Sequence, residues 1–258
     1  MTPEPDLPRW NIAFQAWRLL IENSGAALRM AVLPFLILMA VHRLIDLADP
    51  AGLSALSWMF FKLVVFPIPA ALLLVPWYRH ILSARWPALA ARPAHWWYAT
   101  FMARTLGLEF MLFVMQLPSA IAGLMAVQSG GNPDPQLARL SLFLLLALAP
   151  GFYFYARAAL ALPAAAAGGD HSYGRSWRVT GAAGWRIATL IFILWFTFII
   201  IGGLALGPPA EGGAPVLPPF LASAISAAID VVRELVMAAA LALVYLHYNG
   251  APVEDVVS

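Results

Sequence analysis

Long apolar runs, separated by short polar or proline- and glycine-rich stretches, dominate the pattern of the chain. Each run is near or above the ~20 residues that an α-helix needs to cross the hydrocarbon core of a bilayer. The ~10-residue alternating segments of a membrane β-barrel do not occur in the pattern. We therefore predict one all-α, polytopic membrane domain over residues 1–258, with six membrane helices at about 26–47, 56–80, 100–127, 138–162, 185–206 and 221–248.

An amphipathic helix is predicted at residues 9–23, ahead of the first apolar run. Its polar face carries Asn11, Gln15, Arg18 and Glu22, and its apolar face carries Trp10, Phe14, Trp17 and Ile21. Tryptophan beside arginine is typical of a helix that lies in the headgroup region of a membrane. A cytoplasmic extension of the first membrane helix fits the same pattern.

The composition agrees with a membrane protein. Apolar residues make up 62% of the chain and charged residues 11%, whereas soluble domains carry about 25% charged residues. The chain has no cysteine, which excludes disulfides, thiol catalysis and cysteine-bound metal clusters. A net charge of +2 is too small to indicate a nucleic-acid partner. The acidic, proline-rich start lacks the order of a cleaved signal, so we expect the first membrane helix to be retained.

The charge distribution predicts the orientation. Most arginines lie at the N-terminus or beside the second and fourth loops, whereas the first, third and fifth loops carry Asp46, Asp49, Asp134 and Glu211. Because arginine and lysine favour the cytoplasmic side, both termini are expected in the cytoplasm. The expected location is a cell membrane, the inner one if the source is bacterial.

The fourth loop is the first candidate for a functional surface. Asp170 is expected to cap a short helix that contains Tyr173, Trp177 and Thr180. The residues that could contact anionic lipid headgroups or a membrane protein partner are Arg175, Trp177, Arg178, Trp185 and Arg186. The alternative is a purely structural elbow between two membrane helices.

Charged residues inside the apolar runs form the second group of candidates, because each costs at least ~2.5 kcal/mol at the membrane centre. Glu109 and Arg157 are expected at depths that allow an ion pair, although Arg104 could snorkel toward Glu109 instead. An outer cluster is predicted from Arg43, Lys62, Asp230, Arg233 and Glu234. Within it, Arg233 is spaced to pair with a carboxylate of its own helix. This cluster is either structural or the lining of a polar cavity that holds substrate.

Motifs for catalysis, cofactors and metals are missing from the sequence. The five histidines show no metal-ligand spacing on a helix, and no zinc-protease, nucleophile-elbow or P-loop pattern occurs. We therefore predict no catalytic residue, no cofactor and no metal site.

The stretch around the fourth loop resembles the YciC-like proteins and the membrane domain of glycerophosphoryl diester phosphodiesterases. The matching residues are Arg157, Leu160, Leu162, Pro163, Arg175, Ser176, Trp177, Thr180, Trp185 and Arg186. "WYRHIL" at Trp77 and "YLHYNG" at Tyr245 are similar to an earlier hairpin and to the last helix end of that family. The chain departs from the pattern at Gly168, where an acidic residue is usual, and at Val179. The resemblance implies a six-helix membrane module without phosphodiesterase activity.

Three functions remain open from the sequence. The first is a non-catalytic membrane module that scaffolds or regulates partners, or maintains the envelope, through arginine-rich cytoplasmic loops. The second is a transporter or lipid-handling protein that uses the intramembrane charges. The third is a membrane-embedded enzyme, which would need a catalytic constellation that the sequence does not display.

Overall fold

The computed structural model describes residues 9–48, 63–87, 95–128, 150–169, 172–206 and 217–249. In chain order the helices are α1 (Arg9–Glu22), α2 (Ser24–Ala48), α3 (Pro67–Ser83), α4 (His95–Gln128), α5 (helical residues 150–159), α6 (Ala161–Ala166), α7 (Tyr173–Thr180), α8 (Gly184–Leu206) and α9 (Pro219–Tyr248). No strand occurs in this part of the chain, so the all-α prediction is confirmed there.

Three helices in the described ranges are long and apolar enough to cross a membrane. They are α2 over Ser24–Leu44, α4 over Trp97–Met115 and α8 over Gly184–Leu206. Large apolar side chains on these helices point away from the bundle, among them Leu33, Phe110 and Phe196. Because exposure of large apolar side chains to water is unfavourable, the structure is compatible with membrane association. The predicted segments 56–80 and 138–162 begin outside the described residues.

Helix α9 is the centre of the bundle, because it packs against α1, α2, α3, α6 and α8. Its second half is almost completely buried and contains four alanines, Ala238, Ala239, Ala240 and Ala242. Small side chains let neighbouring helices approach closely. Any charged residue on the inner face of α9 therefore lies among other helices.

Helix α1 packs against α8 and α9. Its buried face consists of Ile12, Ala16 and Leu19, at the i, i+4, i+7 spacing of one helix face. Trp17 stacks on Phe198 of α8, with ring centroids 5.4 Å apart. The rest of the predicted apolar face is exposed, namely Trp10, Phe14 and Ile21. The helix thus carries one apolar stripe toward the bundle and another toward the surroundings.

The helix is interrupted at Leu160, between α5 and α6, although the Leu160 backbone keeps a right-handed helical conformation. Proline has no N–H for the carbonyl four residues earlier, so the helical ladder is interrupted one turn before it. Helix α6 then runs through Pro163 to Ala166. Gly168, with φ of +68°, redirects the chain toward α7 in a conformation that favours glycine.

Candidate functional site

Asp230 is the hub of a charged cluster in the bundle. Its Oδ2 lies 3.0 Å from Nε2 of His42 on α2, and its Oδ1 lies 2.8 Å from Nη1 of Arg233. Asp230 is only 8% exposed. A buried carboxylate requires such partners, because desolvation of an unpaired charge costs several kcal/mol.

Arg233 lies between two carboxylates of its own helix. Besides Asp230, it contacts Glu234, whose Oε1 accepts from Nη2 at 3.0 Å and from Nε at 3.2 Å. These contacts to Glu234 all involve Oε1. Arg233 and Glu234 stand at the midpoint of α9, with fourteen helical residues on either side.

The cluster opens into a cavity of about 150 Å³. Its polar wall consists of Glu109, Tyr155, Arg233 and Glu234. Its apolar wall consists of Leu63, Phe66, Leu112, Phe113, Phe152, Ile191, Trp195 and Met237. This volume corresponds to about five water molecules. The cavity is therefore a mixed polar and aromatic space bounded by α4, α5, α8 and α9.

The charges of the polar wall influence one another. The Glu109 carboxylate favours the positive charge of Arg233, and the Glu109 and Glu234 carboxylates both disfavour ionisation of the Tyr155 phenol. Behind this wall, the fully buried Tyr78 of α3 also interacts with Tyr155 and Glu234. Carboxylates of α4 and α9 and the Tyr155 phenol of α5 thus surround Arg233.

The structure assembles only part of the predicted outer cluster. Asp230, Arg233 and Glu234 come together, but at the middle of α9 and not in its outer third. His42 takes the position expected for Arg43, which is half-buried and pairs with neither Asp230 nor Glu234. Adjacent residues of a helix point about 100° apart, so only one of the two can face Asp230. Lys62 lies outside the described residues.

The sequence groups Asp230 and Glu234 with Arg233 but pairs Glu109 with Arg157 instead. It does not assign Tyr155, Trp195 or His42 to the site. The signal that was present is the position of His42 in an apolar run, where a polar side chain needs a buried partner.

The predicted ion pair between Glu109 and Arg157 is not formed. The Arg157 guanidinium is turned toward the elbow: Nε donates to Thr180 Oγ1 at 3.2 Å, Nη1 to Tyr153 Oη at 3.1 Å, and Nη2 to the Trp177 carbonyl. It also lies 3.9 Å from the centre of the Trp177 ring. These partners are closer along the chain than Glu109 and satisfy the planar guanidinium without an ion pair.

Helix α7 is fastened to the bundle at both ends. At its start, Ser172 is the N-cap, because its Oγ accepts from the Arg175 N–H at 3.2 Å. The prediction that Asp170 caps this helix is therefore wrong. Asp170 lies two residues before Ser172, outside the described residues. At its end, Thr180 is completely buried, and the Ser176 hydroxyl donates to the Arg157 carbonyl.

Tyr173 connects α7 to α4. Its hydroxyl donates to the Arg104 carbonyl at 2.7 Å, and the Arg104 guanidinium lies 4.8 Å from the ring centre. Burial raises the pKa of the Tyr173 hydroxyl, and the positive charge of Arg104 offsets part of that rise. The hydroxyl thus remains a proton donor, and Arg104 is held near the elbow and away from Glu109.

The outer surface of the elbow is basic. Arg175, Arg178 and Arg186 are exposed, and Trp185 is 57% exposed. Trp177 differs from the other candidate residues, since it is half-buried under Arg157 and stacks on Phe154. Four of the five predicted headgroup or partner contacts are therefore on the surface.

In the described ranges, no group of three or more His, Asp or Glu residues has a geometry that could hold a metal ion. Comparisons of the chain with protein-family models, curated proteins and solved structures give no match.

Proposed function

We propose that the chain is an integral membrane protein with six spans and cytoplasmic termini, similar in architecture to the YciC-like proteins. The three candidate spans support this proposal, as does the placement of arginines beside alternate loops. In that topology α1 lies at the cytoplasmic side, with Trp10, Phe14 and Ile21 toward lipid, and the α7 elbow lies at headgroup depth.

We further propose that the protein is a non-catalytic module whose α7 face binds anionic headgroups or an acidic membrane partner. One observation carries this proposal: Arg175 and Arg178 are exposed on α7, while Ser176 and Thr180 of the same helix are anchored to Arg157. A fixed helix presents its two arginines in a constant arrangement. Such preorganisation lowers the entropic cost of binding.

Native mass spectrometry of the detergent-extracted protein tests this function. We expect retained phosphatidylglycerol or a stoichiometric partner on the native chain, and loss of at least half of it in the Arg175→Glu/Arg178→Glu variant. The control is Arg85→Glu, an exposed arginine just beyond α3. Equal retention in all three proteins would contradict a specific role for α7.

A second function, transport or lipid handling, is favoured by the cavity beside Arg233 and Glu234. A transporter must expose such a cavity to water on at least one side. Since the chain has no cysteine, Met237→Cys places a single thiol at the cavity wall. We expect this thiol to react with a membrane-impermeant reagent in proteoliposomes, whereas Ala239→Cys, a buried position on the same helix that is not part of the wall, stays unreactive. If the Met237→Cys thiol does not react with the reagent from either side of the membrane, transport through this cavity is excluded.

A further inference from the structure

We propose that the cavity binds a small organic cation, with its ammonium group against Glu234 and its alkyl groups against the aromatic wall. This inference gives the transport candidate a ligand class. It rests on the cavity and not on the α7 surface.

The first step concerns polar atoms at the cavity wall. Glu234 uses Oε1 for its contacts with Arg233, and Oε2 accepts no hydrogen bond from the described residues. The Tyr155 side chain lines the same cavity. A polar group that loses water without a replacement partner destabilises the folded chain. An occupant that donates hydrogen bonds or carries positive charge would satisfy Oε2 of Glu234.

The second step concerns the sign of the charge. Arg233 is neutralised from two directions, by Asp230 at 2.8 Å and by Glu234 at 3.0 Å. Each of its three guanidinium nitrogens thus contacts a carboxylate oxygen, and an anionic ligand would also meet the Glu109 and Glu234 carboxylates. The described charged groups at the wall favour a cation over an anion.

The third step concerns the apolar wall. It contains the rings of Phe66, Phe113, Phe152 and Trp195, and the last two pack edge to face with centroids 5.4 Å apart. Aromatic faces attract cations, and the attraction is largest for desolvated ammonium groups. Hydrated inorganic cations do not use such a wall, whereas alkylammonium ions do.

The size of the cavity limits the ligand. At about 150 Å³ it equals an engineered apolar cavity that accepts benzene. The ligand, or the part of it that enters the cavity, therefore has about six or seven heavy atoms. Choline and small primary amines fall in this range.

Isothermal titration calorimetry on the purified full chain tests the proposal. The probes are choline and its neutral isostere 3,3-dimethyl-1-butanol. We expect saturable choline binding that is at least tenfold tighter than binding of the alcohol. Glu234→Gln and Trp195→Leu should each weaken choline binding about tenfold. Glu22→Gln, an exposed carboxylate on α1, should leave it unchanged.

Equal affinity for choline and the alcohol would overturn the proposal, as would an absence of choline binding or an equal loss in the Glu22→Gln control. Displacement by sodium ions without discrimination between the two probes would assign the cavity to an inorganic cation instead. If Glu234→Gln does not fold, Tyr155→Phe removes only a hydroxyl and should still weaken choline binding measurably. Because the experiment needs neither headgroups nor a membrane gradient, its failure leaves the α7 function and the access of water to the cavity as separate questions.

Discussion

At the scale of single residues, Arg157 shows how a half-buried guanidinium can be satisfied without a carboxylate. It donates to a threonine hydroxyl, a tyrosine hydroxyl and a backbone carbonyl, and it packs over an indole ring. The planar fork of arginine suits this set of acceptors, whereas the point charge of lysine does not. Arg157 therefore connects α5 to α7 through its hydrogen bonds.

This role predicts a stability loss for Arg157→Lys. Lysine keeps the charge but cannot reach Thr180, Tyr153 and the Trp177 carbonyl together, so we expect the free energy of unfolding to fall by about 2 kcal/mol. Thermal unfolding of the detergent-solubilised protein measures the change. Arg178→Lys is the control, because exposed Arg178 makes a single long contact among the described residues, 3.4 Å from Nε to the Gly174 carbonyl of its own helix. A similar loss in both variants would refute the special role of Arg157.

The contact between His42 and Asp230 predicts an energetic coupling between α2 and α9. A double-mutant cycle with His42→Ala and Asp230→Asn should give an interaction free energy of about 1 kcal/mol, because the pair is mostly buried. The exposed pair Arg18–Glu22, at 2.6 Å within α1, serves as the reference. Its coupling should not exceed about 0.5 kcal/mol, since solvent screens it. A coupling between His42 and Asp230 at or below the reference would mean that the contact does not hold the two helices together.

At the scale of elements, the apolar pattern predicts where two of the helices lie but not how they are rotated. The predicted segments 26–47 and 185–206 agree with Ser24–Ala48 and Gly184–Leu206 within two residues, because long apolar runs flanked by breakers determine where a helix lies. Which side chain faces a neighbouring helix depends on tertiary packing. For this reason the sequence predicts that Arg43 contacts Asp230, whereas His42 does so. It likewise predicts that Arg157 pairs with Glu109, whereas Arg157 donates to Thr180, Tyr153 and Trp177.

Close packing between α5 and α8 predicts that Gly184 cannot be enlarged. A Cβ atom at this position would lie 2.7 Å from Tyr153 Cε2 and 2.9 Å from Arg157 Cδ. We expect Gly184→Ala to lower the free energy of unfolding by about 1–3 kcal/mol, because both neighbours must move. The matched substitution is Gly174→Ala in α7, where, apart from its chain neighbours and the nearby backbone of its own helix, no described atom lies within 4 Å of the added Cβ. It should be neutral or stabilise by up to about 1 kcal/mol through helix propensity. Thermal unfolding that ranks the two variants in the opposite order would disprove this account of the junction.

At the scale of the whole molecule, the candidate site exists because α9 is central. Its midpoint brings Arg233 and Glu234 to residues from α4 and α5 that are far away along the chain, namely Glu109 and Tyr155. Sequence spacing reveals partners within one helix, such as Asp230 and Arg233. It does not reveal which helices surround that pair, and the cavity could therefore not be located before the bundle was known.

The proposed six-span topology predicts which loops lie on each side of the membrane. Because the chain has no cysteine, single introduced cysteines can test this prediction directly. Single-cysteine variants at Ala51, Gly131 and Gly212, in the first, third and fifth loops, should react with an impermeant maleimide in intact cells. Variants at Ala84 and Gly174 should react only after the membrane is permeabilised, because arginine-rich segments remain in the cytoplasm. The cysteine-free parent chain reports background labelling.

Labelling of Gly174→Cys in intact cells would put the basic face of α7 outside, and the cytoplasmic headgroup function would fail with it. Labelling of Ala84→Cys alone would instead change the number of spans before α4 and leave the α7 proposal standing.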